Sequence, residues 1–360
     1  MTSLWLVGVM GLAGCNNLFA PEQNPFTTIH PVTDFGEATQ ELYGMITWWT
    51  IVIAVSVLSL LAFILVRFRD DGSPSNPKQV HGNQQLELGW TMIPVVIVVA
   101  ISVPTIRTVF QIGDAAPNDA LEIRVVGKRW WWDFQYVKEG LVTGNEIHVP
   151  AGKPLSFLIE STSVIHSFWT PRLGGKRDAV PGRINRMWYT IKEIPEAGKP
   201  IEYLGECAEY CGEQHARMRY RIYAHHDEAE YNEWVKLMQT PVVVPESNAA
   251  AKKGEQLFGT SGCAGCHAIT GNPQAVGLQG PNLTRYADRH SIGAGAVLLD
   301  GKSDEERAKL LHQWIKDPDS LKSGTSKKHN PSREIDGMNI PKELTDEEID
   351  SLVAYLMAQK

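Results

Sequence analysis

Cys207, Cys211, His215 and Met218 fall within one stretch that reads Cys-Ala-Glu-Tyr-Cys-Gly-Glu-Gln-His-Ala-Arg-Met. Two thiolates, an imidazole and a thioether make a soft donor set. Such sets select copper, and a thioether in particular argues against zinc or magnesium. A loop can bring two cysteines of this spacing close enough to bridge two metals, and each metal then needs terminal donors of its own. His215 and Met218 supply two, so another histidine must come from elsewhere. His166, in Val-Ile-His-Ser-Phe-Trp at 164–169, is the best candidate. Taken alone it reads as a histidine packed in a core; the downstream cluster is what makes it a ligand. His148, His225 and His226 lie in runs with no companion donor.

A second constellation follows at Cys263-Ala264-Gly265-Cys266-His267. Cys-x-x-Cys-His is the attachment signal for a c-type haem, with both thiols bonded to the haem and the histidine on the iron. Met338 is the expected second axial ligand, and Met/His ligation raises the iron's potential. Its competitor, Met357, sits in a helical pattern that starts with Thr345 as a cap and an acidic first turn, so it reads as core packing. The fifth cysteine, Cys15, stands alone. Close pairs beside histidine and methionine point to metal or haem before disulfide.

These sites need elements to hold them. From about residue 120 to 225, short β-branched and aromatic runs alternate with Gly and Pro, which predicts an all-β Greek-key sandwich. A polar, Pro- and Ala-rich linker is expected over 229–250, then an all-α domain over 251–360. Upstream, Met45–Val66 carries no charge and is long enough to cross a bilayer of about 30 Å. Trp48 and Trp49 stand near one of its ends. Leu88–Ile106 is also free of charge, with Pro94 and Pro104 inside it. Arg67, Arg69 and Lys78 between the two put that connection in the cytoplasm. Residues 1–14 read as a short apolar signal segment. The net charge of −7 has no basic block in it, which argues against nucleic acid as a partner.

With these residues in place, the chain resembles subunit II of the haem–copper cytochrome c oxidases, with a class I cytochrome c domain fused behind it. Cys207, Glu209, Cys211, His215 and Met218 match that family's dinuclear copper loop, and His166 completes the set. The resemblance implies that Glu209 gives its backbone carbonyl to copper and its carboxylate to a magnesium or manganese ion at the border with subunit I. Trp130, Trp131 and Trp132 resemble the aromatic patch through which electrons enter. Lys176–Asn185 resembles the loop facing subunit I, and Glu87 the acidic residue near the mouth of a proton channel. Gly280-Pro281-Asn282-Leu283 resembles the loop whose carbonyl orients the haem histidine. Leu12-Ala13-Gly14-Cys15 resembles a lipobox, with Cys15 lipidated.

The resemblance implies domains at 1–14 (signal peptide), 15–41 (external segment), 42–111 (a two-helix transmembrane hairpin), 112–228 (a cupredoxin-like copper domain), 229–250 (linker) and 251–360 (cytochrome c). It also implies a bacterial inner-membrane protein, multi-pass, with copper and haem outside. Its partners would be oxidase subunits I and III, and its external donor a cytochrome c or a quinol–cytochrome c reductase. Subunit I would reduce dioxygen and translocate protons. The competing readings are a copper-bearing subunit of a nitric oxide reductase and a copper-delivery protein. Nitrous oxide reductase has an aromatic residue where this chain has Glu209, and it lacks the two spans.

Overall fold

A computed structural model describes residues 25–70, 72, 79, 81–326, 337–338, 340 and 342–360. Cys15, with the signal segment, and Lys78 lie outside the described residues. The chain divides into two compact units, Phe35–Ala115 and Met1–Asp34 with Ala116–Lys360.

The first unit is helical. Helix α1, Asp34–Arg67, and helix α2, Gln84–Gly113, are both long and apolar enough to cross a membrane. Helix α1 begins well before its charge-free run and ends just after it, whereas α2 overruns its own at both ends. Their apolar side chains are exposed along the spans, among them Leu58, Phe63, Val96 and Val99. Hydroxyls within them bond back to the preceding turn, as Thr50 does to Ile46 O at 2.9 Å and Ser56 to Val52 O at 2.7 Å. That removes free polar groups where no water would satisfy them. Asn83 caps α2 by accepting from the amides of Gln85 and Leu86.

The second unit holds a β-sandwich and a helical domain. The strands are β1 (Leu121–Lys128), β2 (Trp131–Tyr136), β3 (Leu141–Gly144), β4 (Glu146–Pro150), β5 (Pro154–Ser161), β6 (His166–Trp169), β7 (Lys176–Ala179), β8 (Asn185–Thr190), β9 (Ile201–Cys207) and β10 (Arg219–His225). One sheet runs β3-β2-β1-β5-β8 and the other β4-β10-β9-β6-β7. The pairs β1/β5 and β4/β10 are parallel, the rest antiparallel. Ile123 and Val125 of β1 and Leu155, Phe157 and Ile159 of β5 are wholly buried, the inward alternation a two-sided sheet requires. Trp132, Phe168 and Tyr220 close the core, with Phe168 and Tyr220 stacked at 4.6 Å.

The first half of the expected linker is a helix, α3 (Glu228–Gln239). Asp227 caps it through the amides of Ala229 and Glu230, and Tyr231, Trp234 and Val235, at helical spacing, pack it on the sandwich. The helical domain follows with α4 (Ala249–Thr260), the single turn α5 (Cys263–Cys266), α6 (Asp304–Lys316), the turn α7 (Pro318–Leu321) and α8 (Asp346–Met357). Helix α4 crosses α8 so closely that a Cβ on Gly254 would lie 1.9 Å from Ser351 O. Phe258 meets Tyr355 edge-on nearby. Thr345 opens α8 with a full capping box, and Met357 packs against the domain's core, as its helical spacing predicts.

Candidate metal centre

The loop from Ala208 to Met218 joins β9 to β10, and strand pairing closes its neck. Cys207 N donates to Met218 O at 3.0 Å, and Ala208 N to Ser167 O at 3.0 Å. These bonds fix Cys207 at a strand end, beside β6, which begins with His166. Cys207 Sγ then lies 3.7 Å from Cys211 Sγ and 3.8 Å from His166 Nδ1. Cys211 Sγ lies 3.8 Å from His215 Nδ1 and 3.9 Å from Met218 Sδ. The Glu209 backbone carbonyl is 3.2 Å from Cys207 Sγ. All six residues singled out for copper thus meet in one place. The Glu209 side chain is exposed.

His166, Cys207, Cys211 and Met218 are buried, His166 and Met218 completely. Room for the imidazole comes from Gly127 of β1, where a Cβ would sit 2.7 Å from His166 Cδ2. Ser163 Oγ is 3.5 Å from His166 Nε2, leaving Nδ1 toward the sulfur. Trp130 donates its indole N–H to Cys211 O at 2.9 Å and pins the far side of the loop.

Two thiols this close share a proton. The hydrogen bond between them holds Cys207 far below the usual thiol range, and the same contact together with burial pushes Cys211 up. Both can ionise only beside a cation, so loading a metal releases protons. A thiolate binds a metal at roughly 2.3 Å, so sulfurs 3.7 Å apart could both hold one. The donor set and its spacing fit copper.

The haem residues are framed as well. Cys263 and Cys266 are free thiols on α5, and burial pushes Cys263 up to about 11. His267 Nδ1 donates to Pro281 O at 2.8 Å, which leaves Nε2 as the ligand atom. Burial lowers its pKa and keeps the ring in the neutral form that binds metal. Gly280 packs flush on the ring, where a Cβ would come within 2.5 Å of Cε1, and Gly277 sits as tightly on the backbone of Gly265 and Cys266. The described residues thus fit a covalent haem. Met338 is half-buried.

The transmembrane-domain profile of cytochrome c oxidase subunit II matches residues 33–108, its periplasmic-domain profile 138–224, and the cytochrome c profile 251–360. Cytochrome c oxidase subunit 2 of Alkalihalophilus pseudofirmus is 35% identical over 314 residues, covering 86% of this chain and 83% of that one. The chain belongs to the cytochrome c oxidase subunit II family. The Bacillus subtilis subunit 2 is 31% identical over 363 residues, covering 97% and 94%. The periplasmic domain of subunit II of cytochrome oxidase from Bradyrhizobium japonicum is 29% identical and covers 34% of this chain and 95% of that one, with a TM-score of 0.31. Membership gives a membrane-anchored electron-transfer subunit of a haem–copper oxidase, with a periplasmic domain, copper and haem c.

The remaining subunit II candidates are dispersed. The three tryptophans face different surroundings: Trp130 against the copper loop, Trp131 half-buried beneath the haem domain, and Trp132 wholly buried in the core. Glu87 is exposed in the first turn of α2, in the other compact unit. His148 and His225 pair with each other at 3.0 Å, and His226 bonds Pro195 O. Sequence reasoning missed Gly127, because a lone glycine in a strand carries no signal of what it faces. It also missed Lys322, buried in the helical domain with Nζ donating to Trp130 O at 3.1 Å.

Proposed function

We propose that this chain is the electron-accepting subunit of a cytochrome c oxidase. Cys263, Cys266, His267 and Met338 would hold a haem c, and His166, Cys207, Cys211, His215, Met218 and the Glu209 carbonyl a dinuclear copper centre, which together would relay electrons to subunit I. There dioxygen is reduced, with protons translocated. Copper held by both thiolates would supply one-electron transfer.

The observation that carries this reading is the convergence of two cysteine sulfurs, two histidine nitrogens and a methionine sulfur where the β9–β10 loop meets the start of β6, each within 3.9 Å of a neighbouring donor. The protein's part is to keep that loop closed and dry through the strand neck and the Trp130 bond, so that little moves when an electron arrives. Tyr210, Ile165 and Ile184 are large apolar side chains left exposed on the loops at this end of the sandwich, which suits a face covered by subunit I. The exposed Glu209 carboxylate suits a magnesium or manganese ion at that border. Glu87 would lie at the mouth of the proton channel. The two helices would both span the membrane, with Cys15 lipidated outside, subunit III completing the core, and a cytochrome c or a quinol–cytochrome c reductase as donor.

The test is metal content and electron paramagnetic resonance on the full chain. Two coppers and one iron per chain, with a mixed-valence copper signal that disappears in Cys207→Ser, are expected. A single copper that a thiol competitor strips readily would overturn the relay and favour copper delivery.

A further inference from the structure

The helical domain lies against the sandwich, and one point of that contact differs from the others. Gly144, the last residue of β3, faces Pro281. A Cβ on Gly144 would stand 2.4 Å from Pro281 Cβ and 3.2 Å from its Cα, with Trp131 Cζ3 at 3.6 Å. Pro281 is the residue whose carbonyl accepts from His267 Nδ1. Arg289 joins the two sides here. Its Nη1 donates to Gly144 O at 3.1 Å and its Nη2 to Asn282 O, one carbonyl from each domain. On one flank Lys128 Nζ donates to Leu278 O at 2.7 Å while lying over the Trp131 ring. On the other, Glu146 accepts from His290 N at 3.1 Å.

We propose that Gly144 is a steric key and Arg289 a staple that together hold the haem domain in one register on the copper domain, with the loop behind the haem histidine pressed against Trp131. This rests on the relay reading above. The argument is one of fit. Only a residue without a side chain lets the proline ring sit directly on the strand end. A guanidinium is a planar fork with donors in fixed directions, so bonding two carbonyls at once sets the distance between their backbones. A lysine there could donate to both carbonyls, but its rotatable donors on a flexible stem would not fix the distance between them. Arg289 is a positioning residue: it touches neither metal nor haem ligand, and acts through the Pro281–Asn282 loop. Residues 240–248 alone would tether the haem domain at a high local concentration but leave its face free. The key selects the face. Tunnelling falls steeply with distance, so a register that opens by the size of a methyl group slows transfer without touching either centre.

The experiment uses the full chain carrying haem and copper. Haem-to-copper transfer is timed after photoreduction of the haem, in wild type, Gly144→Ala, Arg289→Ala and Arg289→Lys. Hydrogen exchange of residues 143–146 and 280–283 is measured in parallel, and the optical spectra of both centres serve as controls. Gly144→Ala is expected to slow transfer at least tenfold and to raise exchange at both segments, with both spectra unchanged. Arg289→Ala should slow transfer several-fold and make it depend on solvent viscosity, with Arg289→Lys restoring it only in part. Wild-type rates and wild-type exchange in Gly144→Ala and Arg289→Ala would overturn the proposal. Should Gly144→Ala not fold, the two Arg289 variants decide. A chain that binds haem but no copper would defeat the relay reading instead, and exchange at the two segments would still report whether the docking is keyed.

Discussion

Two clusters of ligand-type side chains sit in the same sandwich, and only one has the arrangement of a metal centre. At the β9–β10 loop, donors from two strands and a turn converge on Cys207 and Cys211. On β4 and β10, His148 Nδ1 faces His225 Nε2 at 3.0 Å, with Trp234 stacked on His148 at 4.3 Å and Tyr223 at 5.0 Å. The histidines spend their facing nitrogens on each other, and their ring faces are covered by aromatics. Among the described residues, the one group of three or more histidine, cysteine or carboxylate donors close enough for a metal is His166, Cys207 and Cys211. The lesson is that residue type sets what could ligate, while convergence and softness decide what does. A pair of buried imidazoles without a third donor is packing.

The sharpest way to break this contrast is to remove one member from each cluster. Cys207→Ser should abolish copper binding outright, because the proposed site loses one of its two sulfurs, which lie 3.7 Å apart. His225→Gln should keep the full copper complement. Copper per chain, measured after dialysis against a weak chelator, checks both. Loss of copper in His225→Gln would mean the second cluster serves the first.

A smaller effect is expected at Gly127. Adding a methyl there forces a contact of 2.7 Å with His166 Cδ2, and wholly buried surroundings leave the ring little room to move. Over-packing of this kind costs roughly 1–3 kcal/mol. Part of that should appear as weaker copper binding, about ten-fold per 1.4 kcal/mol. A competition titration of Gly127→Ala against a copper chelator reads it. An unchanged affinity with a lowered unfolding temperature would show that strain goes into the fold and not into the ligand.

Much of this was legible in the sequence. Short β-branched and aromatic runs separated by Gly and Pro marked the sandwich, and long charge-free runs marked the helices, because composition and length are local properties. The copper donors were legible because four of them share one loop, and the haem cysteines because their spacing is fixed by the cofactor. His166 needed that loop as context, since it lies 41 residues before Cys207. Three things escaped. Helix α3 falls inside the expected linker because its cap, Asp227, and its apolar face of Tyr231, Trp234 and Val235 lie among charged residues that mask the period. Gly127 and Gly144 act by what they lack, and a missing side chain names no partner. The docking of the haem domain depends on Arg289 and Lys322 meeting backbone carbonyls far away in the chain, which no spacing encodes.

The smallest expected effect is a pH dependence that separates the clusters without touching copper. Burial lowers the pKa of His148, helped by the charges of His225 and His290, and burial lowers that of His225 against the pull of Glu230. A histidine whose folded pKa lies below the ordinary 6.5 binds fewer protons folded than unfolded. The stability it contributes is therefore present above pH 6.5 and is lost as pH falls toward the folded value. Glu146, buried at the haem-domain contact, works the other way. Burial raises its pKa above 4.5, so its contribution is lost as pH rises from there through the raised value. A tenfold change in proton affinity on folding is worth about 1.4 kcal/mol. Thermal unfolding of the full chain, followed by tryptophan fluorescence between about pH 5 and pH 7, should show a midpoint that drops on acidification. His148→Phe, which keeps an aromatic ring between Trp234 and Tyr223, should flatten that drop, whereas Glu146→Gln should steepen it. A drop unchanged in His148→Phe would mean that burial does not lower the pKa of His148 and that the acid sensitivity arises elsewhere.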